Sequence, residues 1–446
     1  MNRNFFVLLI TFVCSLFLFL SCTEEREREK EGEEVTPLND SIVEKVRRVN
    51  VYIENSGSMD GYMKGKNDEG GFKDALFELL VDVKGDYAQQ KDSLKVSFIN
   101  TSIETITLPQ EDITSFADEI DVYWKASTKK RGASTKLNDI FKNILEQTDS
   151  TTISILFSDC IYSLSKEGAS NELSRLKHGT RNHFKVNLKK TSLSTLILQK
   201  ESEFNGRYFP YTGDRNWYKV ESRRPYYICI VGGSKLMDEF VKNMKLEDFD
   251  NRTNSFFLKG NGTPEVYYTI LSNSKNCKYG EYKISGKNKE FVHSLRKVEV
   301  EKDKEDGVRK FQFEVAVDFS QIPVDEEYLL DTSNYVFSED EFKILSIKEY
   351  DEHKINKKDL SKIKNAAKTP THVILIESTL VHDVSLALRK NIPMWVDDSH
   401  TNDDSNSLEL GGKTFGLKYW IEGIFDAYKE HYNDYDHVKL NFEFSK

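Results

Sequence analysis

The chain has 446 residues, enough for two or three domains, and sets 63 Lys and Arg against 73 Asp and Glu for a formal charge of −10. An acidic balance of that size gives no general attraction for a phosphate backbone, which argues against nucleic acid as a partner. Only five Cys occur in the whole chain, too few for a disulfide scaffold in an exported protein.

The first residues are processing signal rather than fold. Arg3 is a short positive segment, and Phe5 to Leu20 is almost unbroken apolar sequence, ending in Phe19-Leu20-Ser21-Cys22. About 16 apolar residues fall short of the roughly 20 that span a bilayer, so the pattern reads as a signal peptide over 1–21. The ending resembles a bacterial lipobox, with Phe19 in place of the usual Leu. That resemblance makes Cys22 the lipidated first residue of the mature chain. An uncleaved anchor or a plain signal peptide is the alternative. Residues 23–34, TEEREREKEGEE, hold seven Glu, two Arg and one Lys, so 22–40 is an extended solvated tether that cannot form a core. Its acidic run after the Cys resembles the export signal of Bacteroidetes surface lipoproteins. The location this implies is the outer membrane, lipid-anchored, on the surface or periplasmic face. A spacer holding the domain off a membrane explains the run equally well.

From 41 to 250 strand and helix patterns alternate. Val49–Ile53 is a β-rich run. Phe72–Val83 carries apolar residues at helical spacing, Leu94–Ile99 and Ile103–Leu108 alternate as strands, and Leu137–Leu145 is a second helical face. Ile153–Phe157, Leu193–Leu198 and Tyr226–Val231 are buried-type strands, and Ser234 suits an N-cap for the helix after Gly232-Gly233. Alternation of this kind predicts an α/β domain with a doubly wound, mainly parallel sheet. From 251 to 446 the character changes. Phe311, Phe313, Val315, Val317 and Phe319 alternate with polar residues, predicting a small β-sandwich over about 255–350. Val373–Ile376, a helical stretch near 381–389 and Pro393–Val396 fit one β-α-β unit. Leu417 to Tyr428 forms an amphipathic closing helix near 414–430, capped by Thr414.

The chemistry gathers around VYIENSGSMDGYM, residues 51–63. Glu54, Ser56 and Ser58 follow the first strand, where ligands collect at the C-terminal edge of a parallel sheet. Ser134 and Thr135 precede a helix in RGASTKLNDIF, and Asp159 ends the strand ISILFSD. Carboxylates and hydroxyls are hard oxygen donors suited to Mg²⁺, Mn²⁺ or Ca²⁺. In this order the residues resemble the von Willebrand factor A (VWA) domain over about 45–245. That family's metal-ion-dependent adhesion site reads Asp-x-Ser-x-Ser, then Thr, then Asp. The resemblance implies metal ligands at Glu54, Ser56, Ser58, Thr135 and Asp159, most simply for Mg²⁺, with a partner protein's carboxylate completing the shell. Two positions depart from the pattern: Glu54 stands where the family has Asp, and Cys160 replaces the frequent Gly after the aspartate. A retired site without metal is the alternative. Asp60 is either a further ligand or a solvated or capping residue.

The function expected is metal-assisted protein recognition, adhesion or scaffolding, by a membrane-anchored envelope lipoprotein. The alternatives are a structural subunit of an envelope complex with a dead metal site, and a metal-dependent hydrolase using Asp159 or Glu54 as base. No G-x-S-x-G, H-E-x-x-H or P-loop is present, and no nucleophile and base lie in a recognisable pattern, so turnover is not expected. Lys125, Lys129, Lys130, Arg131 and Lys136, with Arg175, Lys177, Arg181, Lys185, Lys189 and Lys190, either attract an acidic partner or are ordinary solvated surface. DDSHTNDDSN, 397–406, reads as a polar loop or a weak Ca²⁺ site.

Overall fold

The computed structural model describes residues 45–445 except 66–69, 88–92, 101, 107–115, 117–118, 129–135, 163, 165–168, 212–215, 245–253, 261–264, 273–275, 286–290, 323, 325, 407–409 and 433–434. Cys22, the tether and Thr135 therefore lie outside the described residues, as does the helix-preceding Ser134.

β1 (Arg48–Glu54) is buried along nearly its whole length, as a Val- and Ile-rich run without alternation should be when covered on both faces. α1 (Asp60–Lys64) and α2 (Phe72–Asp86) follow, then β2 (Leu94–Ile99) and β3 (Ile103–Ile106), α3 (Ile120–Thr128), α4 (Leu137–Glu146) and β4 (Thr152–Ser158). After α5 (Ala169–Leu188) come two long strands, β5 (Leu193–Tyr208) and β6 (Tyr218–Gly233), then α6 (Ser234–Asn243) and β7 (Asn254–Leu258). The seven strands order as β3-β2-β1-β4-β6-β5-β7. β1 lies parallel to both β2 and β4, while β3, β6 and β7 pair antiparallel with their neighbours.

The sheet is thus mixed, not mainly parallel as its alternating strands and helices had suggested. The cause is the β5–β6 hairpin, whose returning strand wedges between β4 and β5. Periodicity cannot reveal this, because both hairpin strands are as apolar as parallel ones. Helices still cover both faces. Phe72, Leu76, Leu79 and Leu80 of α2 pack with α6 on one side. Ile140, Phe141 and Ile144 of α4 pack with Phe184 of α5 on the other.

The remaining chain builds a sandwich. β8 (Tyr268–Ile270), β9 (Glu281–Ser285), β10 (Ser294–Glu299), β11 (Glu301–Lys302) and β12 (Arg309–Val317) are followed by α7 (Glu326–Leu330), β13 (Tyr335–Phe337), β14 (Phe342–Glu349), α8 (Lys357–Asn365), β15 (His372–Ser378) and β16 (Val384–Arg389). After α9 (Met394–Asp398) come β17 (His400–Thr401) and β18 (Thr414–Phe415), a short parallel pair, then α10 (Leu417–His431) and β19 (Asp436–Ser445). One sheet orders β13-β16-β19-β10-β9, and the other β11-β12-β15-β14 with β8 on β12. Their facing side chains, among them Phe311, Phe313, Ile376, Leu386, Leu388 and Phe442, form one core.

Three local expectations are corrected. Residues 384–389 are a strand and 394–398 a helix, the reverse of the proposed β-α-β unit, because Val384, Leu386 and Leu388 turn inward at a period of two. The cap of α10 is Gly416, at φ 76°, not Thr414, which sits in β18. The residue capping α6 is Gly233, with Ser234 already helical.

Two long-range contacts tie the halves together. β7 extends the first sheet. α10, close to the C-terminal end of the sequence, lies along α5 and sinks Trp420, Ile421, Ile424 and Tyr428 into the same core as Phe141 and Phe184.

Candidate functional site

Glu54 ends β1 and Ser158 ends the neighbouring parallel strand β4, one step beyond the Ile53–Phe157 register pair. The Ser158 hydroxyl donates to the Glu54 carboxylate. The extra methylene of Glu over Asp allows this sideways reach to the adjacent strand. Ser158 Oγ also accepts from the Cys160 amide at 2.8 Å. Cys160 takes φ 52°, a left-handed turn that folds the chain back so that the Ile161 amide donates to Asp159 Oδ1 at 3.2 Å. A Gly would hold that turn without strain, and here the thiol, wholly buried, packs among Leu156, Tyr227 and Cys229 instead.

The loop after β1 is clamped on both sides. Asn55 donates its amide to Ile99 O at 3.1 Å, and its side-chain oxygen accepts from Asn100 Nδ2 at 2.7 Å. Tyr62 donates to the carbonyl of Pro225 and meets the ring of Phe204 edge-on at 5.0 Å. Gly61 and Gly206 let α1 lie directly on β5, since a Cβ on Gly206 would stand 2.5 Å from Gly61 Cα. Asp60 accepts from Trp124 Nε1 at 2.9 Å and opens α1, which assigns it a structural bond to α3.

Between these anchors Ser56 and Ser58 are half-exposed, their hydroxyls 2.9 Å apart. Ser56 also hydrogen-bonds the Glu54 carboxylate, and Ser58 that of Asp159. Behind the serines, Glu54 is 5 % and Asp159 2 % exposed. Burial first, and then the Asp159 charge, push the Glu54 carboxyl up to about 8. Burial likewise raises Asp159, against the opposing pull of Ser58, the Ile161 amide and the Arg224 charge.

Arg224 is the member of this group that sequence inspection missed. It is 1 % exposed, donates to Lys413 O at 3.2 Å, and stacks its guanidinium 4.7 Å from the Tyr208 ring centroid. Its Nη1 has no hydrogen-bond partner among the described residues. The clue was available: a strand otherwise turning apolar carries Arg directly before PYYICIV. Ser158 was also overlooked, though a Ser at the last register position beside a Glu is a ready donor.

Four of the five proposed ligands, Glu54, Ser56, Ser58 and Asp159, therefore converge at the C-terminal edge of β1 and β4. Thr135 lies outside the described residues, immediately before Lys136, which caps α4. The donor set fits a hard cation. Cis ligands of an octahedral Mg²⁺ at roughly 2.0–2.1 Å stand about 2.9 Å apart, the separation the two serine hydroxyls already have. Arg224 opposes the raising of Asp159, whereas Glu54 meets hydroxyls and the Asp159 charge, so a proton or a cation would relieve it. Little here suits nucleophilic turnover. Burial pushes the Cys160 thiol well up, and His382 and His400 lie elsewhere, on the sandwich and beside Tyr419.

The flanking basic segments behave differently from an open patch. Lys177 bridges Glu422 at 2.8 Å and Asp426 at 3.1 Å, and Arg181 and Lys185 both reach Glu430. These three cations hold α10 onto α5, so their charge is met inside the chain. Lys129, Lys130 and Arg131 lie outside the described residues. The 397–406 segment is likewise a strap. Asp404 is 1 % exposed and accepts from Tyr211 N at 2.8 Å and Tyr208 Oη at 3.2 Å, pinning the β5–β6 hairpin. Among the described residues no helix is long and apolar enough to cross a membrane. No protein-family model, curated protein or solved structure matches the chain.

Proposed function

We propose that the chain is a lipid-anchored envelope protein that recognises a partner protein through a divalent cation, held at the C-terminal edge of a VWA-like α/β lobe. The observation that carries it is the convergence of Glu54, Asp159, Ser56 and Ser58. The strand order β3-β2-β1-β4, with β3 antiparallel, supports the family likeness on that side of the sheet. Ser56, Ser58 and Asp159 would hold the ion from one side, with Glu54 beside them. The half-exposed serines leave its outer face to a carboxylate from the partner. Bound there, the ion supplies an electrophilic coordination position.

A second function has its own support. The Glu54 carboxylate is already engaged by Ser158, and Arg224 brings a fixed positive charge. A proton on Glu54 would then complete the site without metal, leaving a structural subunit of an envelope complex. Thermal unfolding of the full chain in detergent, with EDTA and then Mg²⁺, Mn²⁺ or Ca²⁺, separates the two. A live site at a hundred times its Kd gains roughly 2.7 kcal/mol, and Ser56→Ala with Ser58→Ala abolishes the gain while leaving the EDTA midpoint close to wild type. No metal response in the wild type would overturn the cation-bridged function and favour the structural one.

A further inference from the structure

A second site lies well away from these residues. β16 ends at Arg389, and the next residue, Lys390, turns into a cavity of about 370 Å³ between the β13–β16–β19 edge of the sandwich and helix α10. Lys390 is 6 % exposed. Its Nζ sits 4.1 Å from the Tyr435 ring centroid, and it makes no hydrogen bond or ion pair with a described residue. A buried ammonium lacking an anionic partner is costly.

The walls carry further charge. Arg389, Lys429 and Lys439 line the same space, against one carboxylate, Asp436. Phe425 and Tyr435 supply an aromatic side. The charges around Lys390 are of both signs. Lys259 is bound to Asp238 at 3.0 Å, and burial with the Lys390 and Lys259 charges holds His437 well down from its ordinary range. Burial and then the Lys259 charge push Lys390 itself down to about 7, with Asp436 and Asp238 acting the other way. The cavity lies within the size range of small-molecule sites, and its lining combines convergent cations with aromatic side chains.

We propose that this cavity binds a small organic dianion, with its charged head against Lys390, Lys429 and Lys439 and a short planar body against Phe425 and Tyr435. Because α10 belongs to the α/β core and the strands to the sandwich, such a ligand would bridge the two halves.

Calorimetric titration of the full chain in detergent tests it, with phenyl phosphate, phthalate and benzyl alcohol as probes. The first two distinguish a phosphate ester from a dicarboxylate, and the third lacks the charge. The expected result is one-to-one binding of at least one dianion, at least tenfold tighter than the alcohol. A Lys390→Met change should then weaken it by roughly tenfold or more, the usual consequence of losing a hydrogen bond to a charged group. Lys390→Met changes a buried side chain, so the exposed pair Lys429→Ser with Lys439→Ser provides the parallel test. It should weaken binding several-fold with an unfolding midpoint close to wild type, since exposed charges contribute little to stability. Absence of dianion binding, or binding indifferent to both variants, would overturn the proposal.

Discussion

Replacing Glu54 by Gln isolates the electrostatics of the candidate site. The carboxyl lies at about 8 in the folded chain against an ordinary 4.5, and the group is almost fully buried, so solvent screens it little. A carboxyl raised on folding binds its proton more tightly in the native than in the unfolded state. Its contribution is complete below the unfolded value and is lost as pH rises through the folded one. The interval corresponds to roughly 4–5 kcal/mol at most, and between pH 6 and 8 to about 2–3 kcal/mol. Asp159, also raised, adds a slope of the same sign. Gln keeps the shape and can still accept from Ser158, but carries no titrating charge. Urea unfolding in EDTA, followed across about pH 5.5 to 8.5, should show wild-type stability falling with pH and Glu54→Gln falling less steeply, the remainder being the slope of Asp159. Above pH 8 the variant should be the more stable of the two. Mg²⁺ should restore the wild type at high pH and stabilise Glu54→Gln less. Equal slopes in the two proteins would refute the assignment of Glu54 as the proton-holding group.

Three further outcomes are expected. Arg224→Met removes the cation that opposes the raising of Asp159, leaves the Lys413 carbonyl without its donor, and should cost about 1–3 kcal/mol in EDTA, by denaturant midpoint. Mg²⁺ should recover more stability in that variant than in wild type. Trp420→Ala should cost about 3–5 kcal/mol, because the ring is fully buried and lies 5.3 Å from Phe141. Gly416→Ala should cost about 1–3 kcal/mol, since φ is 76° and a Cβ would stand 2.9 Å from Tyr162 Cδ2, seen as a lowered thermal midpoint.

The legible parts of the fold were those with one strong local pattern. ISILF could only be a buried strand, and the stripe from Phe72 to Val83 only a helix. Convergence of Glu54, Ser56, Ser58 and Asp159 was also foreseeable, because turns at the ends of adjacent parallel strands face the same edge. Pairing across long separations was not. Nothing local distinguishes β6 from a parallel strand, since its partner choice depends on the hairpin's register. VHDVSLALR carries apolar residues compatible with either period, and only the facing β19 selects the strand. Arg224 escaped notice because its role depends on Asp159, far away in sequence. The Lys–Glu pairs between α5 and α10 were hidden for the same reason.

The docking of α10 has a consequence for how the molecule is made. Its Trp420 and Ile424 complete a core begun by strands and helices that end before residue 260. A ribosome adding about 5–20 residues per second would hold the first lobe unfinished for roughly ten to forty seconds while the sandwich is synthesised. During that time the groove over α4 and α5 stays open, its apolar lining uncovered. The nascent chain therefore passes through an incompletely packed form. Fragments cut near residue 250 should be inclined to aggregate rather than to fold as a separate module.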